Sequence, residues 1–138
     1  MLKRKGYTLV EIMVVLVIVG TLAALAWPNY MAIKEKTLNR EAKASLALIR
    51  AAEKLYRMEQ GFYYPNPVGP STIISDINSY LKLSLPQSGS ISWSINVNSN
   101  PTESATATRS GVGVDGRVWR INFPGDTDPT CSGGTACP

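Results

Sequence analysis

The sequence predicts an α+β fold in which one long N-terminal helix packs on a small antiparallel sheet of three or four strands. A nearly unbroken apolar run, Ile12 to Trp27, leads into Asn29 to Gln60, which is rich in alanine, leucine and charged residues and has no internal glycine or proline. Both stretches favour helix. The C-terminal part alternates polar and apolar residues, which is typical of strands with one buried face. At 138 residues, the chain has room for one modest domain besides this helix.

Charge and composition exclude several classes of function. The formal net charge is +4, but Lys3, Arg4 and Lys5 supply three of those charges, which leaves 11 basic against 10 acidic residues. Nucleic acid binding is therefore not indicated. The chain has no histidine, and its two cysteines are Cys131 and Cys137. Zinc sites and histidine-dependent catalysis lack their usual groups. We predict no enzymatic activity, no cofactor and no bound metal.

The apolar N-terminal segment is long enough to cross a membrane. The 21 residues from Tyr7 to Trp27 would span about 31 Å as a helix, close to the thickness of the hydrocarbon core. The basic residues before it, Lys3 to Lys5, predict a cytoplasmic N-terminus and a single pass through the inner membrane. Everything after Trp27 would then lie outside the cytoplasm, where cysteines can oxidise.

A carboxylate at the start of this helix needs an explanation. An ordinary secretory signal could use the alanines at 23, 24 and 26 as a cleavage site. That interpretation leaves Glu11 unexplained, because a charge in lipid is costly unless it is paired. Thr8 to Glu11 also fits a capping box, in which the glutamate satisfies amides of the first helical turn. The cap and a pairing role are compatible.

The stretch 3–30 resembles the N-terminal signature of type IV prepilins and the related pseudopilins. Its order is basic leader, glycine, aromatic residue, three residues, glutamate and apolar helix. The resemblance implies that prepilin peptidase removes the leader 1–6 by cutting between Gly6 and Tyr7, and that Tyr7 is then N-methylated. Tyrosine stands where the family usually has phenylalanine. The resemblance also implies that Glu11 pairs with the terminal amine of Tyr7 on a neighbouring subunit during assembly.

Gly20 and Pro28 match two further positions of that signature. In family filaments the helix between them is partly unwound, which implies an extensible segment here. Glycine is also simply tolerated in membrane helices, and proline often follows a helix end. Because the helical pattern resumes after Pro28, we expect a kink there and not a stop. The segment 7–28 is then the transmembrane and filament-core helix, and 29–138 is the globular head.

The helix after Pro28 carries two adjoining apolar rows and a mixed charged surface. The first row is Leu38, Ala42, Ser45, Ile49, Ala52 and Tyr56, and the second is Leu48, Ala51, Leu55 and Met58. We expect the sheet to cover this apolar face. The charged residues, Glu53 among them, are interpreted as a solvated surface. Gly61 is the predicted helix end.

Aromatic residues and prolines follow the helix. Phe62, Tyr63 and Tyr64 could form a ligand-binding surface, but packing of a crossover loop onto the helix is the favoured interpretation. A short helix is predicted around Ile77 to Leu83. Beyond it, Ile91 to Val97 alternates as a strand.

The next stretches predict a hairpin. Residues 102–114 and 117–123 look like strands joined by a tight Asp115-Gly116 turn. That turn would place Val112 opposite Trp119.

Cys131 and Cys137 enclose a short loop in a segment expected outside the cytoplasm, which favours a disulfide over a metal site. Many type IV pilins tie their C-terminal edge in this way. The loop 125–129 holds Asp126 and Asp128 and could offer oxygens to calcium, as a C-terminal loop does in some major pseudopilins. Turn formation is the favoured interpretation.

These features predict a structural subunit of a type IV pilus that serves adhesion, twitching motility or DNA uptake. Its expected partners are other copies of itself, prepilin peptidase and the inner-membrane pilus assembly machinery, and the assembled pilus would be extracellular. The alternative is a pseudopilin of a type II secretion system. The paired cysteines, and the lack of the Asp-Pro-Trp-Gly-like stretch expected of major pseudopilins, favour the pilin. A membrane-anchored enzyme lacks a nucleophile motif and paired carboxylates.

Overall fold

The computed structural model describes residues 6–67, 69–86, 93–99, 102–109, 115–134 and 137. Within them the chain forms α1 (Leu9–Gln60), α2 (Ile74–Leu81), β1 (Trp93–Asn98), β2 (Ser104–Arg109), β3 (Val118–Asn122) and β4 (Thr130–Ser132). The predicted α+β class, with one long helix and a four-stranded antiparallel sheet, is confirmed. The chain divides into two compact units, Met1–Thr37 and Leu38–Pro138, and α1 contributes residues to both.

The long helix has the predicted end and does not stop at its proline. Pro28 lies inside α1, so helix on both sides of it is confirmed, and the kink stays a prediction. Gly61 follows the last helical residue with a φ of +87°, and its amide donates to the Arg57 carbonyl at 2.8 Å. A left-handed residue at this position lets the chain leave the helix while satisfying one of its last carbonyls.

The core of the Leu38–Pro138 unit begins on one stripe of α1. The buried apolar residues of the helix are Ala42, Leu46, Ile49 and Ala52, at the spacing of a single helical face. The first predicted row is confirmed at Ala42, Ile49 and Ala52, its other members are partly buried, and Leu46 was not part of that row. The second row is not covered, because Leu48, Leu55 and Met58 are 54%, 62% and 81% exposed. A helix presents only one stripe to a small sheet, so the expectation that both rows would be covered was wrong.

The four strands form an antiparallel meander in the order β1-β2-β3-β4. Along β1, Trp93, Ile95 and Val97 are buried and alternate with more exposed residues, as the period-two pattern predicts. Ile91 lies outside the described residues. On the outer side of β1, Ser71 forms an isolated antiparallel bridge with Val97, with both backbone hydrogen bonds made at 2.8 and 2.9 Å.

The hairpin between β2 and β3 has a different register from the predicted one. Trp119 is paired with Ala107, so the proposed pairing with Val112, itself outside the described residues, is wrong. The last bond of the ladder joins the Arg109 amide to the Arg117 carbonyl at 2.9 Å. The strands are therefore not joined by a two-residue turn at Asp115-Gly116. Burial of Ala105 and Ala107 against the core sets this register.

Two tryptophans join the sheet to the helix within the Leu38–Pro138 unit. The indole N–H of Trp93 donates to the Leu38 carbonyl at 3.1 Å, and that of Trp119 donates to the Asn39 side-chain oxygen at 3.3 Å. Each large apolar side chain therefore enters the core with its one polar atom satisfied. The helix and the sheet are held together by these bonds as well as by apolar packing.

The short helix α2 runs over Ile74–Leu81, earlier along the chain than the predicted Ile77 to Leu83. It ends because Lys82 takes a left-handed conformation with a φ of 53°. The Asn78 side chain then exchanges two hydrogen bonds of 2.8 Å with the backbone of Leu85. These bonds fix the segment that follows α2.

Candidate functional site

Thr8 and Glu11 form a reciprocal cap at the start of α1. The Glu11 carboxylate accepts from the backbone amide and the hydroxyl of Thr8, each at 3.0 Å, and the Glu11 amide donates to the Thr8 hydroxyl at 3.2 Å. This is the capping box that the sequence predicts. The carboxylate satisfies donors within its own chain, and the pairing with a neighbouring subunit stays a prediction.

The helix behind this cap presents apolar side chains on every side. Its most apolar 18-residue window has a mean hydropathy of 2.7, and none of that window is buried within the chain. By length and composition, α1 is the one helix among the described residues that could span a membrane. A helix that is apolar all round is stable only in an apolar environment. The prediction of single-pass membrane insertion is consistent with this surface.

The predicted processing point lies ahead of the helix. Gly6 and Tyr7 precede α1 outside regular structure, and Tyr7 is 84% exposed. A Cβ added at Gly6 would meet nothing within 4 Å, and the same holds for Gly20 inside the helix. Packing within the described chain therefore does not require glycine at either position. The basic residues 3–5 lie outside the described residues.

The two cysteines are joined in the structure. Cys131 lies in β4, where it pairs with Trp119 of β3, and its sulfur is bonded to that of Cys137. The predicted disulfide is therefore present in the structure. It ties the segment after β4 back to the sheet.

The loop considered for calcium is held by two cations of α1. Arg50 donates through Nη1 to the carbonyls of Gly125 and Thr127, at 3.4 and 2.6 Å, and Lys54 Nζ lies 2.5 Å from Asp126 Oδ1. The hydrogen bond from Lys54 lowers the pKa of Asp126. Oxygens that the sequence offers as metal ligands are thus bonded to the chain's own basic side chains. The part of the chain that the structure describes holds no cluster of three or more His, Cys, Asp or Glu side chains.

Glu53 is a buried carboxyl group, so the interpretation of Glu53 as part of the solvated surface was wrong. It is 0% exposed, its Oε2 accepts from the Tyr64 amide at 2.9 Å, and its Oε1 has no hydrogen-bond partner among the residues that the structure describes. Burial raises the pKa of Glu53 to about 8. One signal in the sequence could have indicated this, because Glu53 stands four residues after Ile49 of the first row and therefore lies on the same helical face. Its carboxyl group binds the backbone where the aromatic loop turns back along the helix.

Comparison with known proteins identifies the N-terminal segment. Residues 1–27 match the family model described as the prokaryotic N-terminal methylation motif. The type II secretion system core protein G of Klebsiella pneumoniae is 36% identical over 54% of this chain and 54% of that protein. The corresponding protein of Escherichia coli K12 is 36% identical over 52% of this chain and 50% of its own length. The type IV major pilin protein PilA of Myxococcus xanthus is 35% identical over 49% of this chain and 31% of its own length.

The similar relatives cover about half of this chain. The chain spans about half the length of the G proteins that it matches, and less of the pilin. The family model ends at residue 27, just before Pro28. The predicted resemblance to prepilins and pseudopilins is confirmed, and the matches to the G proteins are the stronger ones.

Proposed function

We propose that this chain, which carries the N-terminal methylation motif and is homologous to type II secretion G proteins and to a type IV pilin, is a structural filament subunit. It would be inserted in the inner membrane as a precursor, cut by prepilin peptidase between Gly6 and Tyr7, and methylated on Tyr7. The helix from Tyr7 to Pro28 would then leave the membrane and pack with copies of itself in a filament. Our first assignment for that filament is an extracellular type IV pilus.

One observation carries this proposal. The apolar half of α1 is not covered by any of the described residues, while the Leu38–Pro138 unit has its own buried core. Burial of apolar surface is the dominant driving force for association. A helix of this kind has two apolar environments available, lipid and other copies of itself, and a filament subunit uses them in succession.

The disulfide and the occupied loop favour a pilus over a secretion pseudopilus. Cys131 and Cys137 are bonded, and the loop oxygens near Asp126 are bonded to Arg50 and Lys54. Neither feature needs a bound metal to hold the C-terminal segment.

A second candidate function is supported by the comparisons. The G proteins match over a slightly larger share of this chain than the pilin does. On that basis the chain would be a pseudopilin, a subunit of a shorter filament in a type II secretion system. The motif and the apolar helix serve both assignments equally well.

Filaments sheared from cells of the source organism test the assignment. For a pilus, electron microscopy should show surface filaments whose main protein, by mass spectrometry, is this chain starting at N-methylated Tyr7. Deletion of its gene should remove the filaments and leave protein secretion intact. Loss of secreted proteins from a strain that keeps its surface filaments would support the pseudopilin. Retention of residues 1–6 in assembled protein would overturn the processing step for both.

A further inference from the structure

A groove of about 390 Å³ opens between the end of α1, the loop after it and α2. Three tyrosines form one side of it. The rings of Tyr64 and Tyr80 are stacked with centroids 4.8 Å apart, and Tyr56 meets Tyr64 edge-on at 6.0 Å. Tyr64 is buried, whereas Tyr80 is 56% exposed. The aromatic wall is therefore rigid at its base and open to solvent at its rim, in a site of the size that small ligands occupy.

Solvent-exposed polar side chains surround this wall. Within the described residues, the side chains of Asn66, Thr72 and Tyr80 line the groove and make no hydrogen bond. The Asp76 carboxylate meets the neighbouring Ser75 hydroxyl at 3.3 Å and has no ion-pair partner there. Such groups normally bond to protein or water. In this groove they are available to a ligand.

The charge of the lining narrows the class of ligand. Among the described residues that line the groove, Asp76 is the one charged side chain, and none is Lys or Arg. A phosphate or a carboxylate would meet an uncompensated negative charge there. A hydroxyl-rich neutral molecule fits better, because its hydroxyls can donate to the carboxylate in charge-assisted bonds while its C–H face lies on an aromatic ring.

We propose that this groove binds a neutral saccharide, with a pyranose ring against Tyr80 and its hydroxyls on Asp76 and Asn66. This site goes beyond the proposed function, and its biological use rests on that function, which places the head outside the cytoplasm. A subunit whose head lies outside the cytoplasm would use it to hold cell-surface or matrix glycans.

Saturation-transfer difference NMR on the full chain tests the site. The protein is kept unassembled in a detergent without a sugar headgroup. The neutral probes are methyl β-D-glucopyranoside, methyl β-D-galactopyranoside and N-acetylglucosamine, and N-acetylneuraminic acid is the anionic probe. At least one neutral probe should receive saturation on its ring protons, and the anion should not.

Three variants decide whether the groove is responsible. Tyr80→Ala removes the exposed ring, and Asp76→Asn keeps the shape but removes the charge; each should weaken binding about tenfold or more. Tyr30→Ala is the matched control, because Tyr30 is a similarly exposed tyrosine far along the sequence from the groove, and it should bind like the wild type. Absence of transfer to every neutral probe, equal binding of the anion, or binding that survives both groove variants would overturn the proposal. Because the chain is unassembled, failure to form filaments leaves this test unaffected.

Discussion

Glu11 has a local role in the structure, which makes its proposed role in assembly testable. Its carboxylate caps α1 through Thr8. In the resemblance to prepilins, the same carboxylate meets the terminal amine of a neighbouring copy. A charged carboxylate in an apolar helix bundle is costly unless it is paired with such an amine, and cleavage before Tyr7 would create one.

We predict that Glu11→Val leaves membrane insertion intact and abolishes filaments. The substitution makes an apolar helix more apolar, so insertion is not impaired, but it removes the only acidic group in the helix before Glu35. Insertion is measured by alkaline extraction of membranes, and assembly by the filaments sheared from cells.

Thr8→Ala is the control that separates the two roles of Glu11. It breaks the capping box and keeps the carboxylate. Thr8→Ala should therefore still assemble. Equal loss of filaments in both variants would show that the cap alone explains the phenotype, and normal filaments from Glu11→Val would contradict the pairing.

At Glu53 the predicted effect is a dependence of stability on pH. Its pKa is raised from 4.5 to about 8 in the folded chain, so between these values the folded state binds more protons than the unfolded state. The contribution of protonated Glu53 to the free energy of unfolding is complete below about pH 4.5 and is lost as the pH rises through about 8. Over that window we expect the free energy of unfolding to fall by roughly 3 to 5 kcal/mol.

The measurement is a series of thermal melts in detergent followed by near-ultraviolet circular dichroism. Glu53→Gln has no titrating carboxyl group at this position and should lose most of the decline between pH 5 and pH 9. Glu59→Gln is the matched control on the same helix, because Glu59 is exposed. Parallel pH profiles for wild type and Glu53→Gln would contradict the assignment.

The contact between α1 and the segment after β3 should contribute measurably to the free energy of unfolding. Arg50 holds two carbonyls of that segment. We expect Arg50→Ala to lower the free energy of unfolding by about 1 to 3 kcal/mol, because hydrogen bonds from a charged donor are lost. Denaturant titration measures this change. Arg40→Ala, at an exposed position of the same helix, should change stability by less than about 0.5 kcal/mol, and equal effects of the two variants would refute the contact.

The elements also show what the sequence can predict. Period and composition predicted α1 to its last residue, because helix signals are local and Gly61 ends the helix by its own backbone conformation. The pairing of Trp119 was wrong because strand register depends on which residues meet the core, and Ala107 is as good an inward residue as Val112. Burial of Glu53 was missed for a related reason, since its partner is the Tyr64 backbone in a loop.

The sequence predicted the N-terminal site but not the groove. The resemblance located Gly6, Tyr7 and Glu11, and the family model covers that stretch. The groove beside Tyr80 combines residues from α1, a loop and α2. The sequence showed only the aromatic cluster 62–64, and no local pattern could bring Asp76 to it.

For the whole molecule, we predict that a fragment starting at Asn29 folds, stays soluble and forms no filaments. Its buried apolar core, from Ala42 to Phe123, lies entirely inside the Leu38–Pro138 unit. The removed segment carries the apolar surface that would drive polymerisation. Size-exclusion chromatography with light scattering should give a monomer, while the full chain needs detergent. Filaments formed by the fragment alone would overturn the role assigned to the helix.

The two edge strands of the sheet, β1 and β4, determine how easily the globular parts of neighbouring copies could pair with each other. An open strand edge is a template for pairing with another chain, and a filament or a membrane patch brings many copies of the same edge together. Here the outer side of β1 is met by Ser71 at Val97, and at the opposite border β4 is only three residues long and ends beside a disulfide. Within the described residues, the bridge therefore occupies the outer backbone of β1 at Val97, and β4 offers a ladder of three residues. Both features shorten the stretch of edge on which one head could pair with the next, which works against a continuous, amyloid-like sheet of crowded heads.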